Sequence, residues 1–475
     1  MPEYSKVQFI AWEIYTGAVY GPSGADHYAG LAPAAGDRRF HVLSQCLDIM
    51  ARVEFTRRAI ETAYKNAQAD SETLKIFMAP EFLYRGAAGA YFYDLLNGWE
   101  KAPASFGPLP AYFKGPWGGL FGELRALVAE ERFQDWVFVF GSAIGASFPL
   151  SSVIPGDPRF SAATGCNIAL IQCGGSTPRQ RDACYFTEKH LKSAIDFVNF
   201  TLRNATPRIL TDQDIAHGSQ PTWRILDRLI QEDPNGLGGS LFRFPHLRRS
   251  GGQILQFGLE LCLDHCVGYV TAGGAPSPTG RLAAGTTLVD IQLVPSCGMS
   301  LIPTSLALGP RSGPRNFSYA FNCDGLIPIG GSGHDRNTHI QLWNELESGE
   351  GYQANEVAVI RRGYAEAGHI PVDAAAADLS ALAPAEEIPH TLRIDVQNIL
   401  AGDLWRSHEP FRTGQNNHGQ FWPHGPGFIR TLAPQPLAEA RESLVPSANG
   451  AGLSLPLHEH PATALKALAS GEETS

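Results

Sequence analysis

Three residues with reactive side chains each stand at the end of an apolar, strand-like run of sequence. They are Glu81, Lys189 and Cys262. A carboxylate just past a buried strand is half desolvated, which raises its pKa toward the value that suits a general base. A cysteine at a sharp strand-to-helix turn has backbone N–H groups beside it, which can form an oxyanion hole and lower the pKa of the thiol. The three residue types could thus supply a base, a fixed cation and a nucleophile.

Each of these residues also has a non-catalytic interpretation. Glu81 could be a surface residue in a turn, and Lys189 an exposed lysine in a turn. Cys262 could be a buried structural thiol, since free cysteine is among the most buried residue types. Strand alternation places Tyr185, Thr187 and Lys189 on one face, which favours a lysine that reaches into a pocket. Along the chain the three residues occur in the order Glu, Lys, Cys, with Lys189 108 residues after Glu81 and Cys262 73 residues after Lys189.

In this order the sequence resembles the nitrilase, or carbon–nitrogen hydrolase, superfamily. The resemblance rests on Pro80-Glu81, on Lys189 and on Cys262-Leu263-Asp264. Three further segments match in order: Phe140-Gly141-Ser142, Asn167-Ile168-Ala169-Leu170, and Asp290-Ile291-Gln292-Leu293-Val294-Pro295-Ser296. The match covers about residues 5–330. It implies an α/β fold, a four-layer αββα sandwich, that pairs into a homodimer or a higher homo-oligomer.

The resemblance also implies roles for individual residues. Glu81 would take the thiol proton, and Cys262 would attack an amide or nitrile carbon. Lys189 and the backbone N–H of Leu263 would stabilise the charge that grows on the substrate oxygen, with Asp264 as a supporting residue. The implied activity is hydrolysis of a non-peptide carbon–nitrogen bond to a carboxylic acid and ammonia through a thioester.

Around the lysine the sequence departs from the family pattern. A Lys-x-His-Leu pattern anchored on His190 would put Glu188 at the lysine position, and a Lys-His-x-Lys pattern would select Lys192. Lys189 is preferred because it continues the strand face described above, with Lys192 as the alternative. Many members also carry a second glutamate shortly after the lysine. The nearest acid here is Asp196, which is a candidate for that supporting role.

Two other functions remain open. An N-acyltransferase would use the same thioester and pass the acyl group to an amine, and a catalytically inactive nitrilase-like scaffold would bind a partner protein. A metal site at Cys262-Leu263-Asp264-His265-Cys266 is disfavoured, since no second ligand pair stands at zinc spacing. We therefore expect no metal and no cofactor, and a small-molecule amide or nitrile as the substrate.

Alternating helical and apolar strand-like segments predict the layered α/β domain at residues 1–330. Helices are predicted at 38–68, 120–131 and 222–231, strands at 7–11, 74–78, 136–141, 167–171, 183–187, 253–261 and 287–294, a long loop at 15–37, and a polar insertion at 198–250. Residues 331–475 are predicted to be an irregular C-terminal extension that wraps the core or a partner subunit, because 371–388 and 432–475 are rich in Ala and Pro.

Six aromatic residues in the loop after Glu81 could line a pocket for an apolar acyl group or could belong to the core. They are Tyr84, Tyr91, Phe92, Tyr93, Phe113 and Trp117.

Composition limits the classes of protein that the chain can represent. Of 475 residues, 44% are hydrophobic, which is ample for a large core and excludes wholesale disorder. The 37 basic residues against 47 acidic ones give a net charge of −10 without basic runs, so neither nucleic acid nor an anionic membrane is the expected partner. Eight scattered cysteines and the absence of a signal-peptide pattern predict a reduced, cytoplasmic protein.

Overall fold

Two mixed β-sheets, stacked face to face, organise the chain into an α/β fold. In the computed structural model, the residues that the structure describes are 3–17, 19–20, 26–27, 42–86, 89–147, 164–176, 183–189, 240–266, 280–284, 288–309, 318–327, 337–345, 352–360, 394–398 and 427–437. No helix within these ranges is long and apolar enough to cross a membrane.

The strands are β1 Glu3–Tyr4, β2 Lys6–Glu13, β3 Val19–Tyr20, β4 Asp26–His27, β5 Thr73–Met78, β6 Tyr91–Phe92, β7 Trp136–Ser147, β8 Thr164–Cys173, β9 Cys184–Glu188, β10 Leu241–Phe242, β11 Arg248–Arg249, β12 Phe257–Leu259, β13 Ile291–Ser296, β14 Tyr319–Ile327, β15 Asn337–Glu345, β16 Tyr352–Ile360, β17 Ile394–Asn398, β18 Phe428–Leu432 and β19 Gln435–Pro436. The α-helices are α1 Val42–Asn66, α2 Tyr93–Asn97, α3 Ala111–Lys114, α4 Gly119–Leu127 and α5 Arg281–Ala284. Short 3-10 helices lie at Ala104–Phe106, Glu131–Phe133, Cys262–His265 and Pro303–Ser305.

The two sheets share one internal plan. The nine-stranded sheet runs β17-β18-β2-β5-β7-β8-β9, with β19 beside β2 and β6 beside β7. The six-stranded sheet runs β10-β12-β13-β14-β15-β16. In each, three parallel strands (β2-β5-β7 and β12-β13-β14) are followed by two antiparallel ones. Parallel strands present their carboxyl ends at one sheet edge, which is where α/β proteins build their sites.

Strand alternation explains how the layers pack. In β2, Val7 and Phe9 face the core between the sheets, whereas Ile10 and Trp12 face the helices on the other side. Between the sheets, the Phe9 ring centroid lies 5.0 Å from that of Phe321 in β14. Both faces of β2 are therefore buried, one under helices and one under the second sheet.

The outer faces of the sandwich are covered differently. The helices α1, α2 and α4 pack on the nine-stranded sheet in one apolar cluster. On the six-stranded sheet, Leu282 of α5 packs over Gly258 of β12, where a Cβ would be too close to its side chain. Within the described ranges, that face also carries the 3-10 helix Pro303–Ser305, which contacts α5, and the apolar loop residues Leu301, Leu306 and Leu308 beside it.

The C-terminal region supplies strands to both sheets, so the prediction of an irregular extension is wrong for its described segments. β15 and β16 extend the six-stranded sheet, and β18 pairs antiparallel with β2 at the register Phe428↔Glu13. All five residues of β18 are buried. A five-residue strand in a Pro-rich region gives little periodicity, and the open edge of β2 that it covers is not visible in its own sequence. The Ala/Pro-rich stretch 371–388 lies outside the described residues.

Several element boundaries differ from the predictions. Helix α4 ends at Leu127 because the chain turns into the 3-10 helix Glu131–Phe133. The predicted strand 287–294 begins only at Ile291. In the predicted loop 15–37, β3 and β4 pair with each other. The predicted helix 222–231 and the insertion 198–239 lie outside the described residues.

Candidate active site

Glu81 stands three residues beyond β5, in a loop that packs against the neighbouring strand β7. Gly141 of β7 has a φ of 75°, and a Cβ there would lie well under 3.0 Å from the carbonyl oxygen of Pro80. Only glycine allows both this conformation and this approach. The Glu81 backbone N–H also donates to the Ser296 carbonyl at 3.3 Å, which joins the loop to the end of β13 in the other sheet.

Lys189 follows β9, and its side chain reaches Glu81. The Lys189 Nζ to Glu81 Oε1 distance is 2.9 Å, and the two side chains are 1% and 0% exposed. Asn167 Nδ2 donates to the same Oε1 at 2.8 Å, while the Asn167 carbonyl accepts from the Lys189 N–H at 2.8 Å. A buried charge is tolerated when it is paired and hydrogen-bonded. The loop after β5, strand β8 and the end of β9 thus build one buried ion pair.

Cys262 lies at a sharp turn where β12 runs into the 3-10 helix, as the sequence predicted. Its φ is 47°, in the left-handed region that residues with a Cβ rarely adopt. In the described residues, the only other non-glycine residue with positive φ is Phe82, directly after Glu81. Strained backbone of this kind concentrates at functional sites, where the surrounding structure holds it in place.

The electrostatic environment of Cys262 differs from the prediction. Burial raises the pKa of the Cys262 thiol well above its usual value, and the nearby Glu81 carboxylate raises it further, while Lys189 lowers it. Because burial dominates, the prediction that neighbouring N–H groups leave this thiol with a lowered pKa is wrong. A thiol that is protonated at neutral pH needs a base to become a nucleophile. Besides Glu81 and Lys189, the neighbouring Cys297 also influences the thiol. Cys262 Sγ lies 3.9 Å from the Cys297 carbonyl, and the Glu81 N–H donates to the adjacent Ser296 carbonyl, so Cys262 and the Lys189–Glu81 pair meet at the end of β13.

The structure places the supporting residues unevenly. The first hydrogen bond of the 3-10 helix runs from the Asp264 N–H to the Leu261 carbonyl at 3.1 Å, so the N–H groups of Cys262 and Leu263 come before it. The Asp264 side chain is fully buried. Lys192 and Asp196 lie outside the described residues. Within the described residues, the candidate site consists of Glu81, Lys189 and Cys262.

Two residues beside the cluster, Asn167 and Cys297, are not among the predicted site residues. Asn167 belongs to the Asn167-Ile168-Ala169-Leu170 segment, and an amide in an apolar strand needs a polar partner, which is a signal that could have identified it. Cys297 follows β13, and its carbonyl lies 3.9 Å from Cys262 Sγ. Burial, with Asp324 and Glu81, raises the pKa of Cys297 well above its usual value.

The aromatic residues of the loop after Glu81 belong to the core. Tyr84, Tyr91, Tyr93, Phe113 and Trp117 are buried in the cluster between the nine-stranded sheet and its helices, and Phe92 packs against that cluster. Tyr84 also accepts or donates a hydrogen bond with Thr56 of α1 at 2.7 Å. Of the two interpretations left open, the structure supports the core. These rings give no information about an acyl group.

His265, a member of the metal motif weighed above, has both ring nitrogens engaged by protein groups. Nδ1 lies 2.7 Å from Glu260 Oε2, and Nε2 accepts from the Ile302 N–H at 3.0 Å. Across the ranges given above, no group of three or more His, Cys, Asp or Glu side chains is arranged to hold a metal ion.

Comparison of the sequence with protein-family models yields no match, and no curated protein matches it. The function is therefore inferred from the geometry of the cluster around Cys262.

Proposed function

We propose that the protein is a thiol-dependent hydrolase of the nitrilase, or carbon–nitrogen hydrolase, superfamily. Its substrate is a small amide or nitrile, and its products are a carboxylic acid and ammonia. The observation that carries the proposal is the buried Lys189–Glu81 pair, 2.9 Å apart, beside a cysteine held at a left-handed φ of 47°. A buried ion pair next to a strained, protonated thiol provides a base, a cation and a nucleophile at one point.

The reaction begins with the transfer of a proton from Cys262 to Glu81 while the sulfur attacks the amide carbon. The raised pKa of the thiol makes this transfer necessary, because little thiolate forms without it. The carbonyl oxygen gains a negative charge as the C–S bond forms. The Lys189 ammonium and the N–H of Leu263 stabilise this oxyanion, a contribution of roughly 3–4 kcal/mol per donor in comparable sites.

The tetrahedral intermediate then collapses and the C–N bond breaks. Glu81 returns its proton to the leaving nitrogen, ammonia departs, and the acyl group remains on Cys262 as a thioester. Glu81, ionised again, takes a proton from water as the water attacks the thioester carbon. The acid is released and the proton returns to the sulfur, so each cycle consumes one amide and one water and yields one acid and one ammonia.

Intact-protein mass spectrometry after brief mixing with a panel of amides and nitriles tests the proposal. We expect a mass increase equal to one acyl group on the wild type and none on Cys262→Ala. Cys266→Ala, four residues away in the same turn, is the matched control and should keep the adduct. No adduct from any compound, together with a Cys262 that iodoacetamide alkylates no faster than the other cysteines of the protein, would leave an inactive nitrilase-like scaffold as the better interpretation.

The same adduct separates hydrolysis from acyl transfer. A hydrolase releases the free acid even when a primary amine such as glycine is present in excess. An N-acyltransferase gives the N-acyl product instead, and the amount of that product rises with the amine concentration. Mass spectrometry of the small-molecule products distinguishes the two outcomes.

The proposal includes a four-layer αββα sandwich, a cytoplasmic location and a homodimer or higher homo-oligomer. The helical layer on the nine-stranded sheet and the two stacked sheets support three of the layers. Light scattering of the purified chain tests the assembly, with a dimer as the smallest expected species and a monomer as the contrary result.

A further inference from the structure

Two fully buried titratable residues bracket the Cys262 turn and are joined to each other. Glu260 comes two residues before Cys262 and His265 three residues after it, and both are 0% exposed. His265 Nδ1 lies 2.7 Å from Glu260 Oε2. This side-chain contact links the two ends of the turn that contains Cys262.

The hydrogen-bond partners fix which nitrogen of His265 carries its proton. The Ile302 backbone N–H donates to Nε2 at 3.0 Å, so Nε2 must be an acceptor. Nδ1 therefore carries the hydrogen and donates to Glu260 Oε2. Glu260 Oε2 also accepts from Gln292 Nε2 at 2.9 Å, and Oε1 accepts from the Leu282 N–H at 2.7 Å. Both residues use their polar atoms to hold backbone and side chains in place.

The network connects the Cys262 turn to the rigid part of the sheet. Gln292 lies within β13, and its side chain donates to the Ser305 carbonyl at 3.0 Å and accepts from the Ala307 N–H at 2.9 Å. Ser305 Oγ accepts from the Gly280 N–H at 2.8 Å, which attaches the segment before α5. A Cβ at Gly280 would lie 2.9 Å from Glu260 Oε1, so there is no room for a side chain between Gly280 and the Glu260 carboxylate.

We propose that Glu260 and His265 are positioning residues that together hold Cys262 and the N–H of Leu263 in their reactive arrangement. This inference rests on the proposed function. A left-handed cysteine persists only when its surroundings hold it there. The pair does so on both sides of the turn, and its hydrogen bonds to other residues go to Leu282, Gln292 and Ile302. Its loss lets the turn relax and moves the oxyanion donor relative to the sulfur.

Two probes of different chemistry separate positioning from general loosening. Acetyl transfer from p-nitrophenyl acetate passes through an oxyanion, forms a thioester on Cys262 and releases p-nitrophenolate. Alkylation by iodoacetamide displaces iodide and needs no oxyanion donor. The ratio of the two rates at Cys262 therefore reports the arrangement of sulfur and donor. A loosened protein would raise both rates together and leave the ratio unchanged.

We expect His265→Ala to lower this ratio by about 10²-fold, the effect of removing one oxyanion donor. His265→Asn places an amide N–H at the position of Nδ1 and should restore most of it. Glu260→Gln replaces the acceptor Oε2 with an amide donor that faces the N–H groups of His265 and Gln292. It should lower the ratio as His265→Ala does, and it provides the test if His265→Ala does not fold. Ser305→Ala, at the outer end of the network, should change it less than about threefold.

The failures of the two proposals give different results. Glutathione, a thiol without an oxyanion donor, gives the reference value for the ratio of acetylation to alkylation. If the wild-type ratio is well above this reference and is unchanged in His265→Ala and Glu260→Gln, the positioning role is wrong and the hydrolase proposal is unaffected. A wild-type ratio equal to that of glutathione would overturn the hydrolase and the positioning role together. Thermal unfolding of each variant establishes that a lost ratio belongs to a folded protein.

Discussion

Lys189 Nζ and Asn167 Nδ2 both donate to one carboxylate oxygen, Oε1 of Glu81, at 2.9 Å and 2.8 Å. This shared oxygen joins the end of β9, strand β8 and the loop after β5. All three side chains that meet there are buried. The two hydrogen bonds thereby fix the orientation of the Glu81 carboxylate relative to β8 and β9.

Removing the charge of Lys189 should destabilise the protein through the charge that it leaves behind. We expect Lys189→Met to lower the free energy of unfolding by about 3–5 kcal/mol, since Glu81 is then a buried carboxylate without its ammonium. The double variant Glu81→Gln/Lys189→Met should be more stable than Lys189→Met alone. Urea denaturation of the wild type, both single variants and the double variant measures this coupling. Strictly additive losses would show that the two side chains do not interact energetically.

Neutralising Glu81 should make Cys262 more acidic while it abolishes turnover. The Glu81 carboxylate raises the pKa of the thiol and Lys189 lowers it, so Glu81→Gln removes the raising charge and keeps the lowering one. The pH dependence of iodoacetamide alkylation at Cys262 should therefore move to lower pH, with the rate read by peptide mass spectrometry.

Cys46 in α1 is the internal control for that experiment. Burial raises the pKa of Cys46 to about 12, and its pH profile should not change in Glu81→Gln. A Cys262 profile that stays in place or moves to higher pH would contradict the assigned influence of Glu81.

Gly141 should tolerate no side chain. Gly141→Ala adds a Cβ at a φ of 75° and drives it into the Pro80 carbonyl, which displaces the loop that carries Glu81. We expect a loss of about 2–4 kcal/mol in the free energy of unfolding, from the left-handed conformation and the overpacking together. Gly122→Ala in α4, where a Cβ meets no atom within 4 Å, should instead stabilise the protein by about 0.5–1 kcal/mol. Equal effects at the two positions would be inconsistent with the packing described.

Strand β18, in the C-terminal region, should be essential for the fold. Arg430 of β18 forms an ion pair with Glu13 of β2, and both side chains are buried. Arg430→Met leaves a buried carboxylate, so we expect the free energy of unfolding to fall by about 3–5 kcal/mol. Arg57→Ala breaks a pair in which the Arg57 side chain is 46% exposed, and should cost less than about 1 kcal/mol. Thermal or urea unfolding compares the two, and a similar small effect at both positions would count against the role of β18.

The sequence by itself determined the local features of the site. Alternation of apolar residues located the strands that end near Glu81, Lys189 and Cys262, because side chains on a strand alternate between its faces. The spacing of apolar residues located α1 and α4 within a few residues. The turn at Cys262 followed from a reactive residue placed directly after an apolar run. These features depend on neighbours in sequence, so a local pattern is enough to predict them.

Tertiary structure decided whatever depends on residues far apart in the chain. The ion pair of Glu81 and Lys189 spans 108 residues, and that of Glu13 and Arg430 spans 417. The upward shift of the Cys262 pKa depends first on burial and then on Glu81, 181 residues earlier in the chain, and no motif around Cys262 contains either. Likewise, β18 is a strand because the edge of β2 offers it hydrogen bonds. Burial and strand pairing are properties of the assembled sheets. A sequence pattern reports only the local preference of a segment for helix or strand, which the assembled sheets can override.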